Sequence, residues 1–281
     1  MILLADSGST KTEWRFLVGN KVVKQMRTAG YNPHHQTTEQ IKTSLQQELL
    51  PHLENHSETI SHIHFYGAGC SSPKSIGIVE EAFTACFPEA KITIEHDLLA
   101  AARALCGKEA GIACILGTGS NSCYYNGEQV THNVPALGYI LGDEGSGTHL
   151  GKRLLSDFLR NAMPADLHDS FSKSYPISTS DVLDKLYRQA FPKPYLAGFS
   201  QFISQHRQHP YCQQILQENF GSFLKVNILQ YANHSNVPVH FVGSIAYHFQ
   251  EELEVAITQL GLNLGTIIQS PMEGLINYHA G

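Results

Sequence analysis

One short pattern occurs twice in this chain and limits its fold more than any other feature. Ile2-Leu-Leu-Ala5 is an apolar run that passes through Asp6 into a turn of small residues, Ser7 to Thr10. It leaves along an alternating stretch, Thr12-Glu-Trp-Arg-Phe-Leu-Val18. Gly111-Ile-Ala-Cys-Ile-Leu116 repeats the arrangement, entering Gly117-Thr-Gly-Ser120 and leaving along Asn121 to Tyr125. Short apolar runs bounded by turn signals read as buried strands, and period-two alternation reads as a strand covered on one face. Gly19-Asn20 and Asn126-Gly127 supply the next hairpin turns, and Lys21 to Arg27 forms a third strand.

The elements between and after the two patterns complete an α/β reading. Thr38 to Leu53 has helical spacing in Ile41, Leu45 and Leu49, with Thr38 as cap and Pro51 as stop. Ile63 to Tyr66 is a strand ending in Gly67-Ala-Gly-Cys70, and 76–87 is a helix. Ile92 to Ile94 is a strand ending at Glu95-His-Asp97, and Leu98 to Leu105 is a helix. After the second pattern come helices over 148–163, 180–191 and 211–232, the strand Val239 to Val242, and a helix over 245–260. A strand at Thr266 to Ile268 and a closing helix from Glu273 to Tyr278 end the chain. Segment 164–180 is polar and rich in Pro and Ser, and reads as an exposed connection. The expected division is residues 1–109 and 110–272, with 273–281 packing back on the first half.

Composition narrows the classes. A length of 281 residues allows two domains. Hydrophobic residues at 42% and charged residues at 16% belong to a globular chain. The net charge of −6, with no run of Lys and Arg, argues against a nucleic-acid partner. No apolar stretch reaches about 18 residues, so no membrane span is expected. No basic segment precedes an apolar one at the start, and the six cysteines form no C-x-x-C pair. Buried thiols and a cytoplasmic location are the expectation. His34-His35 and His62-x-His64 lack the companions of a metal site and read as surface or loop histidines. His64, between Ile63 and Phe65, falls on a solvated or half-buried strand face.

Five segments carry candidate chemistry. In the first turn, Ser7, Gly8, Ser9 and Thr10 let backbone N–H groups approach a phosphate, and Lys11 adds positive charge. Asp6 is placed to hold a hydrated Mg²⁺. Gly117, Thr118, Gly119 and Ser120 repeat the turn, and an ordinary hairpin is the alternative for both. Asp97 stands at the carboxyl end of a strand, where ligands of open α/β sheets gather and a carboxylate can accept a hydroxyl proton. Its alternative role is an N-cap for the helix from Leu98. Gly142-Asp-Glu-Gly-Ser-Gly147 sets Asp143 and Glu144 between glycines, either to bind sugar hydroxyls or to cap a helix. Gly243 and Ser244 form a strand-to-helix turn on which adenine or ribose can pack.

The ordered set of Asp6-x-Gly-x-Thr10-Lys11-Thr, Gly117-Thr-Gly-Ser-Asn121, Gly142-Asp-Glu-Gly-Ser146 and Gly243-Ser-Ile-Ala246 resembles the BadF/BadG/BcrA/BcrD-type ATPase family. Within it the chain looks most like the N-acetylglucosamine kinases, which belong to the sugar kinase, actin and heat-shock chaperone superfamily. The resemblance implies two ribonuclease-H-like, actin-like ATPase domains with ATP in a cleft between them. It implies ATP and Mg²⁺ as cofactors, Thr10 and Thr118–Gly119 on phosphate, Asp97 as catalytic base, and Gly243 with Ser244 facing the adenosine. Asn32, in Gly30-Tyr-Asn-Pro33, would bind the sugar together with Asp143, Glu144 and Gly138.

Two departures stand out. Ser7-Gly-Ser9 replaces glycines that the family prefers, and Ala136-Leu137-Gly138 stands where the N-acetylglucosamine kinases carry Gly-Trp-Gly. The second leaves the sugar open. The implied activity is ATP-dependent phosphorylation of an amino sugar, N-acetylglucosamine to its 6-phosphate first, with N-acetylmuramic acid or glucosamine as alternatives. A dehydratase-activating ATPase is a second reading, with Cys106 and Cys114 or Cys123 as cluster candidates, although their spacing matches no common cluster motif. A non-catalytic sugar sensor is a third. The expected partner is a small sugar, and family habit suggests a homodimer.

Overall fold

A computed structural model describes residues 1–8, 11–53, 59–190 and 192–280. The chain divides into two compact units, Met1–Gly107 with Pro271–Gly281, and Lys108–Ser270.

The first unit opens with β1 (Ile2–Ser7), β2 (Lys11–Val18) and β3 (Lys21–Ala29), which are successively antiparallel. α1 (Thr38–Ser44) leads to β4 (His62–Gly67), α2 (Pro73–Cys86) to β5 (Lys91–His96), and α3 (Asp97–Cys106) follows at once. The sheet order is β3-β2-β1-β4-β5, with β4 and β5 running parallel to β1. Parallel neighbours need a crossover, which α1 and α2 provide. Leu3, Ala5, Trp14, Phe16, Ile63 and Phe65 pack on one face against Ile41, Val79 and Phe83. Leu4, Leu17 and Tyr66 pack on the other against Ala100 of α3 and Leu275 and Ile276 of the C-terminal helix (Met272–Ala280). With both faces covered, β1 has to be continuously apolar.

The second unit repeats this topology. β6 (Ala110–Leu116), β7 (Ser120–Asn126) and β8 (Val130–His132) are antiparallel, and the sheet order is β10-β9-β6-β7-β8. Between β8 and β9 (Val239–Val242) lie α4 (Gly138–Leu141), α5 (Gly147–Leu159), α6 (Ala165–Ser174), α7 (Thr179–Tyr187), α8 (Pro192–Gly198), α9 (Ser200–Gln205) and α10 (Pro210–Val226). α11 (Ser244–His248) and α12 (Gln250–Gln259) join β9 to the parallel β10 (Leu264–Ile268). Ile112, Cys114 and Leu116 of β6 pack with Leu150, Leu154, Phe220 and Phe223 from α5 and α10.

Several sequence expectations need correction. The helix expected over 38–53 is α only to Ser44, then a π turn at Leu45–Leu49 and a 3₁₀ turn at Leu50–His52. Pro51 has no N–H to continue the α ladder. Its cap is Thr37, not Thr38, in a capping box with Gln40. The polar segment 164–180 is not an open connection, because α6 forms there and buries Leu167 and Phe171. Two apolar side chains one helical turn apart suffice when the Phe158 and Phe202 rings meet Phe171 at 4.6 and 5.0 Å. The helix expected over 245–260 breaks at buried Phe249. β8, α8 and α9 carried no clear sequence signal.

Three histidines pin the C-terminal helix to the first sheet. The rings of His62 and His64 stack at 3.8 Å between centroids, and those of His64 and His279 at 3.9 Å. Arg103 donates to Tyr66 Oη at 2.8 Å, which frees the phenol proton to be donated to His279 Nε2 at 2.8 Å. Burial, with the neighbouring imidazoles, Arg103 and Lys91, pushes His64 down to about 3. Burial, Arg103 and His62 push His279 down to about 4. Both rings stay neutral in the fold, while the unfolded chain takes up protons below about pH 6.5. Their stabilisation is therefore present above pH 6.5 and is lost as pH falls from there toward 4. We expect His279→Asn to lower the thermal unfolding midpoint at pH 7.5, and the gap to the wild type to narrow at pH 5. A gap that does not change with pH would show that the ladder does not titrate in this way.

Candidate active site

β1, β4 and β5 end together, and the first cluster of candidate residues forms at their carboxyl ends. Asp6 lies opposite Glu13 on β2 and beside Tyr66 on β4. The Ser7 side chain is buried. Its Oγ accepts the Tyr31 N–H at 2.9 Å and lies 2.7 Å from Thr12 Oγ1, while its carbonyl accepts the Ala68 N–H at 2.8 Å. The Ser7 hydroxyl is thus used inside the fold. Gly8 N–H donates to the Lys11 carbonyl at 3.0 Å and closes the hairpin. Ser9 and Thr10 lie outside the described residues. Lys11, with a side chain 60% exposed, is drawn to Glu13 at 3.1 Å. Burial opposes ionisation of Glu13, but Lys11 and Arg27 hold its carboxyl below the ordinary range.

Asp97 occupies a different helix position from the one expected. The N-cap of α3 is His96, whose Nδ1 accepts the Leu99 N–H at 3.1 Å, and Asp97 is the first helical residue. The capping duty has passed to the imidazole, so the Asp97 carboxylate stands in the first turn, where the helix dipole favours negative charge. Burial nevertheless raises its pKa, against His96 and the Leu98 and Asp97 N–H groups. Burial, then the Asp97 charge, then Glu13, push Asp6 up to about 7, against Lys11. Asn32 joins the same edge. Its Oδ1 accepts the His34 N–H at 3.0 Å and lies where a side chain on Gly69 would intrude.

The second unit assembles its own cluster around the Gly117–Ser120 turn. Gly117 N–H closes the turn on the Gly119 carbonyl at 3.0 Å. Among the described residues, the Thr118 and Gly119 N–H groups have no acceptor. Asp143, buried and held at φ 62°, accepts the Ser120 N–H on Oδ1 at 3.2 Å. Its Oδ2 lies 3.1 Å from the Lys193 ammonium, and a Cβ on Gly119 would come within 2.8 Å of that ammonium. Lys193 was not legible as a site residue, since it stands fifty positions after Asp143 and no motif surrounds it. Gly243, at φ 125°, packs on the Leu116 carbonyl, where any side chain would collide, and brings Ser244 to the same turn. Gly138 opens α4 and Glu144 turns back over Gly142, while Leu137, Ile140 and Leu141 are exposed.

No protein-family model matches the chain. It is 26% identical over 211 residues to the N-acetylmuramic acid/N-acetylglucosamine kinase of Clostridium acetobutylicum, covering 71% of this chain and 68% of that protein. It superposes at a TM-score of 0.95 and 45% identity on a Porphyromonas gingivalis protein provisionally designated N-acetylglucosamine kinase, over 100% of this chain and 99% of the other. A ROK-family glucokinase of Streptomyces griseus, solved with glucose and AMPPNP, shares the fold at a TM-score of 0.59 and 12% identity, over 98% and 97% of the two chains. Two mixed five-stranded sheets of one topology are the α/β architecture of the actin-like sugar kinases. Within that class, the chain belongs to the N-acetylglucosamine kinase family.

The coupled carboxylates give a direct test. In carbon-detected NMR, Asp6 should titrate with a midpoint near 7, and Asp97→Asn should move that midpoint down by removing a neighbouring negative charge. An Asp6 midpoint near 4 in the wild type would overturn the coupling.

Proposed function

We propose that the protein transfers the γ-phosphoryl group of ATP to the primary hydroxyl of an amino sugar, N-acetylglucosamine first, giving the 6-phosphate. The observation that carries this reading is Asp97, which stands at the carboxyl edge of the first sheet with its capping role taken by His96. As the sugar oxygen attacks phosphorus, its proton passes to Asp97. The new P–O bond forms, the bond to the β-phosphate oxygen breaks, and ADP leaves with that electron pair. The backbone of Ser7–Lys11 and the Thr118 and Gly119 amides are assigned to phosphate, and Gly243 with Ser244 to adenosine. Asn32, Gly138, Asp143 and Glu144 are assigned to the sugar. N-acetylmuramic acid is the second candidate, in line with the name of the Clostridium relative. A homodimer and a cytoplasmic setting belong to the same proposal.

Mg²⁺ fits the donors in one way. Among the described residues no group of three His, Cys, Asp or Glu side chains could hold a metal ion. Asp6 offers a half-buried carboxylate at the strand end, which suits a hydrated Mg²⁺ shared with substrate phosphates. Bound there, Mg²⁺ would offset phosphate charge.

A coupled ADP-release assay over a panel of hexoses and N-acylated amino sugars tests the reaction, with the phosphorylated hydroxyl read by NMR. Sugar-dependent ADP release on N-acetylglucosamine is expected, and no turnover on any sugar overturns the kinase reading. Asp97→Asn should keep sugar affinity within a few-fold and lose about 10²–10⁴-fold in kcat, the usual worth of a positioned base. A near-normal kcat in that variant would remove Asp97 from the role.

A further inference from the structure

We propose that Lys193 is the cation that the Gly117–Ser120 turn presents to the phosphates of the nucleotide, held ready by its ion pair with Asp143. The inference deepens the assignment of that turn to phosphate and rests on it.

The start of α8 and the turn are tied to one side chain. Thr148 Oγ1 donates to the Thr118 carbonyl and lies 3.3 Å from the Lys193 carbonyl, while the Thr148 N–H also reaches the Thr118 carbonyl at 3.2 Å. The backbone of Lys193 is therefore fixed against the turn, and its side chain crosses Gly119. The Nζ lies so close that a β-carbon on Gly119 would come within 2.8 Å of it. Glycine at 119 therefore leaves room for an ammonium as well as a phosphate.

The charges explain why an ammonium is needed. Asp143 is buried beside the turn, with Oδ1 on the Ser120 N–H. An uncompensated carboxylate there would repel any phosphate brought to the Thr118 and Gly119 amides. Lys193, 3.1 Å from Oδ2, cancels that charge. The two partners differ in freedom, since the Asp143 side chain is 3% exposed and that of Lys193 is 39% exposed. Asp143 is fixed and the lysine can move. An arriving phosphate anion meets two amides without acceptors among the described residues, and an ammonium that can bridge carboxylate and phosphate. A structural ion pair with no ligand role is the competing explanation, and the two differ in what they do to nucleotide binding.

The test is calorimetric binding of AMPPNP and of adenosine to the wild type, Lys193→Met and Lys193→Arg, with KM for ATP measured alongside. Lys193→Met should weaken AMPPNP by about tenfold or more, the worth of a hydrogen bond to a charged group. Adenosine affinity should stay within about twofold, since adenosine carries no phosphate. Lys193→Arg should restore most AMPPNP affinity. If methionine prevents folding, Lys193→Gln replaces it in the same comparison. Equal AMPPNP affinity in wild type and Lys193→Met, or equal losses for AMPPNP and adenosine, overturns the role of Lys193 and leaves the kinase reading standing. A wild-type chain that binds no AMPPNP overturns the phosphate assignment and this inference together.

Discussion

A hydroxyl buried away from water holds the first candidate cluster in place. Ser7 Oγ lies 2.7 Å from Thr12 Oγ1 across the β1–β2 hairpin and accepts the Tyr31 N–H, while the Ser7 carbonyl accepts the Ala68 N–H. Three segments are therefore positioned by one residue at the end of β1: the hairpin, the Tyr31–Asn32 stretch, and the loop that contains Gly69. Asn32 sits against Gly69, and the residues next to each are tied to Ser7. A buried polar group is costly unless it is satisfied, and removing this one leaves the Tyr31 N–H without its partner. This also gives a physical reason for a serine where a glycine would supply a looser turn. A glycine at 7 would keep the carbonyl contact and lose the two hydroxyl contacts.

The second unit reaches the same end through its backbone. The Gly147 and Thr148 N–H groups reach the Gly117 and Thr118 carbonyls at 2.9 and 3.2 Å, which joins the start of α5 to the turn. Gly243 closes the third side against Leu116. The two units also treat their acids differently. In the first, burial raises the pKa of both Asp6 and Asp97, and the Asp97 charge adds to the rise at Asp6. In the second, Asp143 is paired with Lys193. Two buried acids that resist ionisation favour taking up a proton or a cation, whereas an acid paired with an ammonium leaves an amide-rich turn without a net negative charge beside it. One topology thus presents two electrostatic surfaces suited to different parts of a phosphoryl transfer.

Local features were legible in the sequence, and long-range ones were not. Period-two alternation and glycine turns located both hairpins, since a strand covered on two faces must be apolar along its length. The π turn at Leu45–Leu49 was hidden, because Ile41, Leu45 and Leu49 fit an unbroken helix equally well. α6 was hidden by its Pro- and Ser-rich flanks, although Leu167 and Phe171 have helical spacing. Lys193 and the His62–His64–His279 ladder were hidden for one shared reason. Their partners lie dozens to hundreds of residues away, and a lone lysine or histidine carries no pattern. Asp97 shows the limit most clearly. An aspartate before an apolar helix reads equally as a cap and as a base, and the two roles differ only in where its oxygens point. His96 removes the capping role from Asp97, because an imidazole at the N-cap takes the Leu99 N–H that the carboxylate would otherwise accept. The Asp97 carboxylate is thereby relieved of the capping duty, and only the geometry of the preceding residue shows that.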